Sequence, residues 1–267
     1  MELLEYSNNF RSQHGEDGII ERVLEILKGS QNNYFVEFGA WDGEYLSNTY
    51  NLLHNRDWAG CYVEGDLKKF RALQQKYANK AEIICVNAFV QSGSGDSSLT
   101  SILKKADTPK EFGVLSIDID GNDYEVWRDL TYFQPALVII EYNQTIPPSV
   151  EFIDHGGQSF MGSSCLSLNN LAKEKGYQLI CCTATNCFFI RQDYYHLFEI
   201  TDNRPSVLQN MDKQCFVALN HSGELVFSNK SFFQNKIHMI LYKRIKKTVK
   251  HLFMGKTSFF FLGDKYQ

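Results

Sequence analysis

The sequence predicts an α/β sandwich built on a mostly parallel sheet. Three observations predict it. Short apolar runs alternate with amphipathic helical segments five times in succession. The runs end in polar residues: Glu37, Glu64, Asn87, Asp118 and Glu141. Two last apolar runs, 177–182 and 186–191, stand too close together for a crossover helix. Alternating strand and helix implies a parallel sheet with helices on both faces. A close pair of runs implies an antiparallel hairpin at its edge. Ligands of such sheets lie outside the carboxyl ends of the strands, where the strand order reverses. The polar strand tips therefore point to a polar site.

The elements follow in order. Residues 7–15 are polar, and 16–27 read as a helix with Ile19, Ile20, Val23, Leu24 and Leu27 on one face. Glu16 and Asp17 suit its first turn, and Gly29-Ser30 stops it. The first strand is 34–38. A helix is expected over 46–55, a strand over 58–64, a helix over 68–77 and a strand over 82–86. Residues 91–98, Gln-Ser-Gly-Ser-Gly-Asp-Ser-Ser, have the composition of a flexible loop and a candidate lid. Then come a strand over 114–119, a helix over 124–130, a strand over 136–140 and a helix over 164–175, ended by Gly176. A domain over 1–200 and an extension over 201–267 are expected. Within the extension, 215–220 and 224–227 suggest a small hairpin. Residues 236–256 carry seven lysines and arginines, no Asp or Glu, and an apolar stripe of Ile237, Leu241, Ile245, Val249 and Leu252. Such a basic amphipathic helix packs on the domain, meets a protein partner or lies peripherally on an anionic membrane.

Composition excludes several classes. A net charge of -4 carries no nucleic-acid signature. The seven cysteines include no CxxC pair and lie mostly in apolar runs, as expected of free buried thiols in a reducing compartment. The amino terminus does not read as a signal peptide, and no apolar run is long enough to span a bilayer. A cytoplasmic protein, or one peripheral to the inner membrane surface, is the expectation.

The chain is organised around Tyr34-Phe35-Val36-Glu37-Phe38-Gly39-Ala40-Trp41-Asp42-Gly43, an apolar strand running into a small-residue turn flanked by two acids. Glycines let backbone approach a ligand closely. Glu37 and Asp42 suit a cationic group or hydroxyls and would repel a pyrophosphate, and the Gly-x-Gly-x-x-Gly spacing is absent. Asp118 and Asp120 alternate along a strand before the Gly121 turn. Close together they would raise one another's pKa, or with Asn122 hold Mg²⁺ or Mn²⁺ through oxygen ligands. Asp123 reads as a helix cap.

The motifs together resemble the FkbM-like branch of S-adenosylmethionine-dependent methyltransferases. They are Ser12-Gln13-His14-Gly15-Glu16-Asp17-Gly18, Phe35-Val36-Glu37-Phe38-Gly39 with Asp42-Gly43, Asn48-Thr49, Trp58-Ala59-Gly60 with Glu64-Gly65, Ser116-Ile117-Asp118-Ile119-Asp120-Gly121-Asn122-Asp123-Tyr124, Ile140-Glu141-Tyr142-Asn143 and Asn186-Cys187-Phe188-Phe189. The resemblance spans roughly residues 6–200. It implies a seven-stranded Rossmann-like methyltransferase sandwich with strand order 3-2-1-4-5-7-6, and S-adenosylmethionine across the turn Glu37, Gly39, Ala40, Asp42 and Gly43. It implies Glu64 at the ribose, and Asn87 and Ala88 at the adenine edge. The implied reaction is O-methylation of a sugar or polysaccharide-linked hydroxyl. The candidate bases are His14, Asp118, Asp120 and Glu141; His14 stands where the family often has Asn. Glu16 or Asp17 is a further candidate to face the acceptor. The other readings are methylation of another small molecule or a protein, a methyltransferase-like scaffold without catalysis, and, weakest, a nicotinamide dehydrogenase.

Overall fold

A computed structural model describes residues 2–119, 121–155, 162–209 and 217–227. Asp120, Cys215 and the basic segment 236–256 lie outside the described residues. The chain divides into two compact units, residues 1–144 with 148–210, and residues 145–147 with 211–267. The second contains an antiparallel pair, β8 (Val217–Leu219) and β9 (Leu225–Phe227).

The first unit holds β1 (Tyr34–Phe38), β2 (Ala59–Glu64), β3 (Ile83–Asn87), β4 (Glu111–Ile117), β5 (Gln134–Glu141), β6 (Tyr177–Cys182) and β7 (Asn186–Arg191). They form one sheet in the order β3-β2-β1-β4-β5-β7-β6. The pairs among β1 to β5 are parallel, and β7 runs antiparallel to both neighbours. This is the Rossmann-like methyltransferase order that the motifs imply.

Strand alternation sends side chains to two cores. Val36 and Phe38 of β1 face one, with Val138 and Ile140 of β5. Phe35 faces the other, with Leu137 and Ile139. The first core is closed by α4 (Leu99–Lys105), α5 (Asp123–Asp129) and α6 (Cys165–Glu174). The second is closed by α1 (Glu16–Leu27), α2 (Tyr50–Arg56) and α3 (Leu67–Tyr77). A short α7 (Pro205–Leu208) follows the hairpin. No described helix is long and apolar enough to cross a membrane.

Two local expectations are corrected. The helix expected from residue 46 begins at Tyr50, because Leu46 is left-handed (φ 56°) and the Ser47 hydroxyl accepts the N–H groups of Thr49 and Tyr50. Helix α4 was not foreseen; the Ser98 hydroxyl caps it by accepting the Ser101 N–H, and its Leu99, Ile102 and Leu103 are buried. In the loop 91–98, exposed over 91–97, the Gln91 N–H donates to the Ser97 carbonyl, and the Gly93 N–H to Asp129.

Glu16 and Asp17 are turned inward and hydrogen-bonded within the fold. One oxygen of Asp17 accepts the N–H groups of Phe10, Arg11 and Ser12 at 2.7–2.8 Å. Glu16, fully buried, accepts the Thr183 hydroxyl at 2.7 Å, the Asn186 amide at 3.1 Å and the His14 N–H at 2.6 Å. It fastens the start of α1 to the β6–β7 turn. Removing it strands buried donors, so Glu16→Ala is expected to cost roughly 2–4 kcal/mol in urea unfolding. A loss below about 0.5 kcal/mol would show that the tie contributes nothing to the hairpin edge.

Candidate active site

The carboxyl ends of the parallel strands enclose a cleft of about 520 Å³, within the range of small-molecule sites. It opens where the strand order turns from β1 to β4. Its acidic lining comes from Glu37, Glu64, Asp66, Asp118 and Glu141, and its cationic lining from Lys69. That balance suits a cationic or hydroxyl-rich ligand and disfavours an anionic one.

The β1 turn forms the floor. Gly39 has φ 77°, and a Cβ there would stand 1.6 Å from the Asp118 carbonyl oxygen. Only glycine lets the turn pass the end of β4 this closely. The N–H groups of Gly39 and Ala40 both donate to the Val63 carbonyl. Glu37 is buried, and its carboxylate accepts the Ser47 and Thr49 hydroxyls at 2.6 Å each and the Asn48 N–H at 3.0 Å. Burial pushes its pKa up, while these three donors pull it down without overcoming the burial. Glu64 ends β2. One of its oxygens accepts the Trp41 N–H and the other the Asp66 N–H, both at 2.7 Å. One carboxylate therefore fixes the turns after two neighbouring strands.

The β4 and β5 ends form the far wall. Asp118, Asn122 and Glu141 line it. Asp123, the first residue of α5 and not its N-cap, points back under the turn and accepts the N–H groups of Ile119 and Gly121 at 3.0 and 2.9 Å. The Oδ1 atom of Asn122 is buried without a hydrogen-bond partner. A buried acceptor of this kind is matched when a ligand brings a donor.

The sequence-predicted residues divide cleanly. Glu37, Gly39, Ala40, Glu64, Ala88, Asp118, Asn122 and Glu141 line the cleft. Four others do not. The Asp42 carboxylate faces α3, bonded to Lys76 Nζ at 2.7 Å and to the N–H groups of Glu44 and Tyr45. Gly43 packs against Tyr77, whose hydroxyl donates to the Gly43 carbonyl at 2.8 Å. The Asn87 amide donates to the Glu64 carbonyl and holds the strand ends together. His14 belongs to the loop before α1, its N–H bonded to Glu16. Of the candidate oxygen ligands for a metal, Asp118 and Asn122 line the cleft, and Asp120 lies outside the described residues.

Sequence reasoning missed the rim. Trp41, Tyr45, Leu46 and Phe89 line the cleft mouth and are 42–75% exposed. Trp41 takes φ 52°, its ring lies 5.1 Å from that of Tyr45, and the Lys69 ammonium sits 3.7 Å from a Trp41 ring centroid. Position immediately after a strand tip was the available signal for Trp41 and Phe89.

Solved structures to which this chain is similar include the N-terminal domain of EvdMO1 with SAH bound, at 12% identity and TM-score 0.44, covering 67% of this chain and 80% of that one. A putative caffeoyl-CoA O-methyltransferase from Staphylococcus aureus matches at 11% and 0.42, covering 64% and 82%. The glycopeptide N-methyltransferase MtfA complexed with S-adenosyl-L-methionine matches at 10% and 0.37, covering 64% and 85%. No family model matches the chain, and no curated protein does. The FkbM-like resemblance therefore rests on the sequence motifs.

Two outcomes are expected. Gly39→Ala drives a methyl into the Asp118 carbonyl and is expected to cost roughly 3 kcal/mol or more by denaturant titration; a near-neutral result would contradict the close packing of the two turns. Partial burial would raise the Asp42 pKa, but Lys76 and the two N–H groups outweigh it and hold it below the usual value. The folded state thus binds this proton less readily than the unfolded chain. The stabilisation is present above the ordinary carboxyl pKa and is lost as pH falls through the lower folded value. Lys76→Met is expected to lose up to about 1 kcal/mol at pH 7, and progressively less in acid, by thermal melts across pH.

Proposed function

We propose that this chain is an S-adenosylmethionine-dependent methyltransferase of the FkbM-like kind, acting on a hydroxyl of a sugar or polysaccharide-linked acceptor. The observation that carries the reading is the acidic cleft at the switch point of a sheet ordered β3-β2-β1-β4-β5-β7-β6, with Glu64 at the tip of β2.

The residues fit the cofactor. Each Glu64 oxygen uses one lone pair on a backbone N–H, which leaves the others for two ribose hydroxyls. Ala88 and Phe89, after β3, give the adenine an apolar wall. Gly39 and Ala40 let the methionine part approach the backbone. The orphaned Asn122 Oδ1 accepts from the ammonium of that part or from the acceptor hydroxyl. The acidic lining favours a ligand with net positive charge.

When bound, S-adenosylmethionine supplies a methyl group already activated by its sulfonium. The chain must then orient the acceptor and take its proton. Asp118 is our first choice of base and Glu141 the second, since both line the wall facing the β1 turn. Asp120 remains a neighbour of that pair in sequence, whereas His14 has no part in this scheme. The Trp41 and Tyr45 rings suit the C–H face of a sugar, which makes a neutral glycan the preferred acceptor. The reading contains no metal step.

Calorimetric titration with S-adenosylhomocysteine tests it. Micromolar binding is expected, weakened about tenfold or more in Glu64→Gln, because an amide cannot match both the ribose and the two N–H groups. Asp118→Asn is expected to keep that affinity and lower turnover of a glycan acceptor by about 100-fold or more. Absence of binding by the intact chain would sink the assignment. Equal loss of binding in Asp118→Asn would move that residue from proton transfer to the cofactor.

A further inference from the structure

A second cluster of reactive side chains lies away from the cleft. Cys165 opens α6, Cys182 closes β6, and Cys187 stands opposite Cys182 on β7. Their sulfurs form a closed triangle. Sγ of Cys165 lies 3.7 Å from that of Cys182 and 3.5 Å from that of Cys187, and the latter two are 3.8 Å apart. All three residues are fully buried and all three thiols are free. Among the described residues, this is the group of potential metal ligands whose donor atoms converge, all within 4.8 Å of one another.

The spacing matches a common ion. Sulfurs about 2.3 Å from one Zn²⁺ in tetrahedral directions stand roughly 3.8 Å apart. A disulfide needs about 2.05 Å between sulfurs, more than an ångström closer than any pair here, and would leave the third thiol unmatched. A single buried cysteine behaves as a small apolar side chain. Three converging from a helix and two strands make a soft donor set that selects thiophilic ions over Mg²⁺ or Ca²⁺. The walls are apolar, with Tyr142, Leu168 and Phe189 in the same core. Such surroundings favour a group without net charge. A divalent ion cancels two of the three thiolate charges and leaves a net charge of −1.

We propose that Cys165, Cys182 and Cys187 form a buried site for Zn²⁺ that staples the start of α6 to the β6–β7 hairpin. On binding, the three thiols lose their protons to solvent and three Zn–S bonds form. Cys187 pairs with Ile140, the residue before the cleft-lining Glu141, so the staple also steadies the far wall of the cleft from its core side. The site is closed to water, so loading accompanies folding.

The full chain, purified without chelator, is expected to hold one zinc per chain by elemental analysis. Refolded from urea with Cd²⁺ as the probe, it is expected to show a sulfur-to-metal charge-transfer band, a raised Tm and three thiols protected from alkylation. Cys165→Ser and Cys187→Ser are expected to lose the band or weaken Cd²⁺ binding at least tenfold, while Cys85→Ser keeps it. The proposal falls if wild type refolded with Cd²⁺ shows neither band nor Tm shift, or if Cys165→Ser retains both. A native mass two hydrogens light, with a disulfide mapped within the trio, also overturns it. If the serine variants do not fold, stoichiometry, band and thiol protection in wild type decide.

Discussion

A carboxylate removed from water must be given donors, and that requirement shapes the cleft end of this molecule. Glu16, Asp17, Glu37, Glu64 and Asp123 are all buried, and each accepts hydrogen bonds from loop N–H groups, hydroxyls or amides. Leaving any of them unmatched would cost more than a typical hydrogen bond contributes. The loops therefore have little freedom to take another course. Glu64 fixes the β1 and β2 turns together, Glu37 fixes the 47–49 segment, and Asp123 fixes the loop after β4. The cleft is the space those constrained loops leave open.

This constraint explains why the acid-tipped strands gave an incomplete reading. The order of strands and helices was legible because burial on both sheet faces demands continuous apolar runs. Edge pairing of β6 and β7 was legible from the shortness of their turn. The position of the cleft followed from topology. What the acids do was less legible. An acid at a strand tip scores as a ligand residue whether it faces a substrate or a neighbouring N–H, and only the fold distinguishes the two. Glu64 does the second with lone pairs left for the first. Asp42 turns to Lys76, on the side of the turn away from the cleft. Helix α4 was missed because its apolar positions span only two turns after a Gly/Ser-rich stretch.

The aromatic rim was illegible for a different reason. Trp41 and Leu46 both take left-handed backbone angles that residue type does not announce. The turn imposes them, since Gly39 must pass the Asp118 carbonyl and Glu64 must receive the Trp41 N–H. The side chains at the mouth are thus aimed by backbone demands arising beneath them, and a local sequence pattern carries no trace of that.

The same arrangement gives the molecule an optical label of its own. Of its three tryptophans, Trp58 and Trp127 are 3% and 1% exposed, whereas Trp41 is 45% exposed at the mouth of the cleft. A water-soluble collisional quencher therefore reaches one indole and leaves two dark to it. That indole already carries a lysine ammonium over its ring. Whatever fills the cleft changes both its access to quencher and its local field, so the intrinsic emission reads occupancy of the site without any dye, and the two shielded indoles serve as the internal reference.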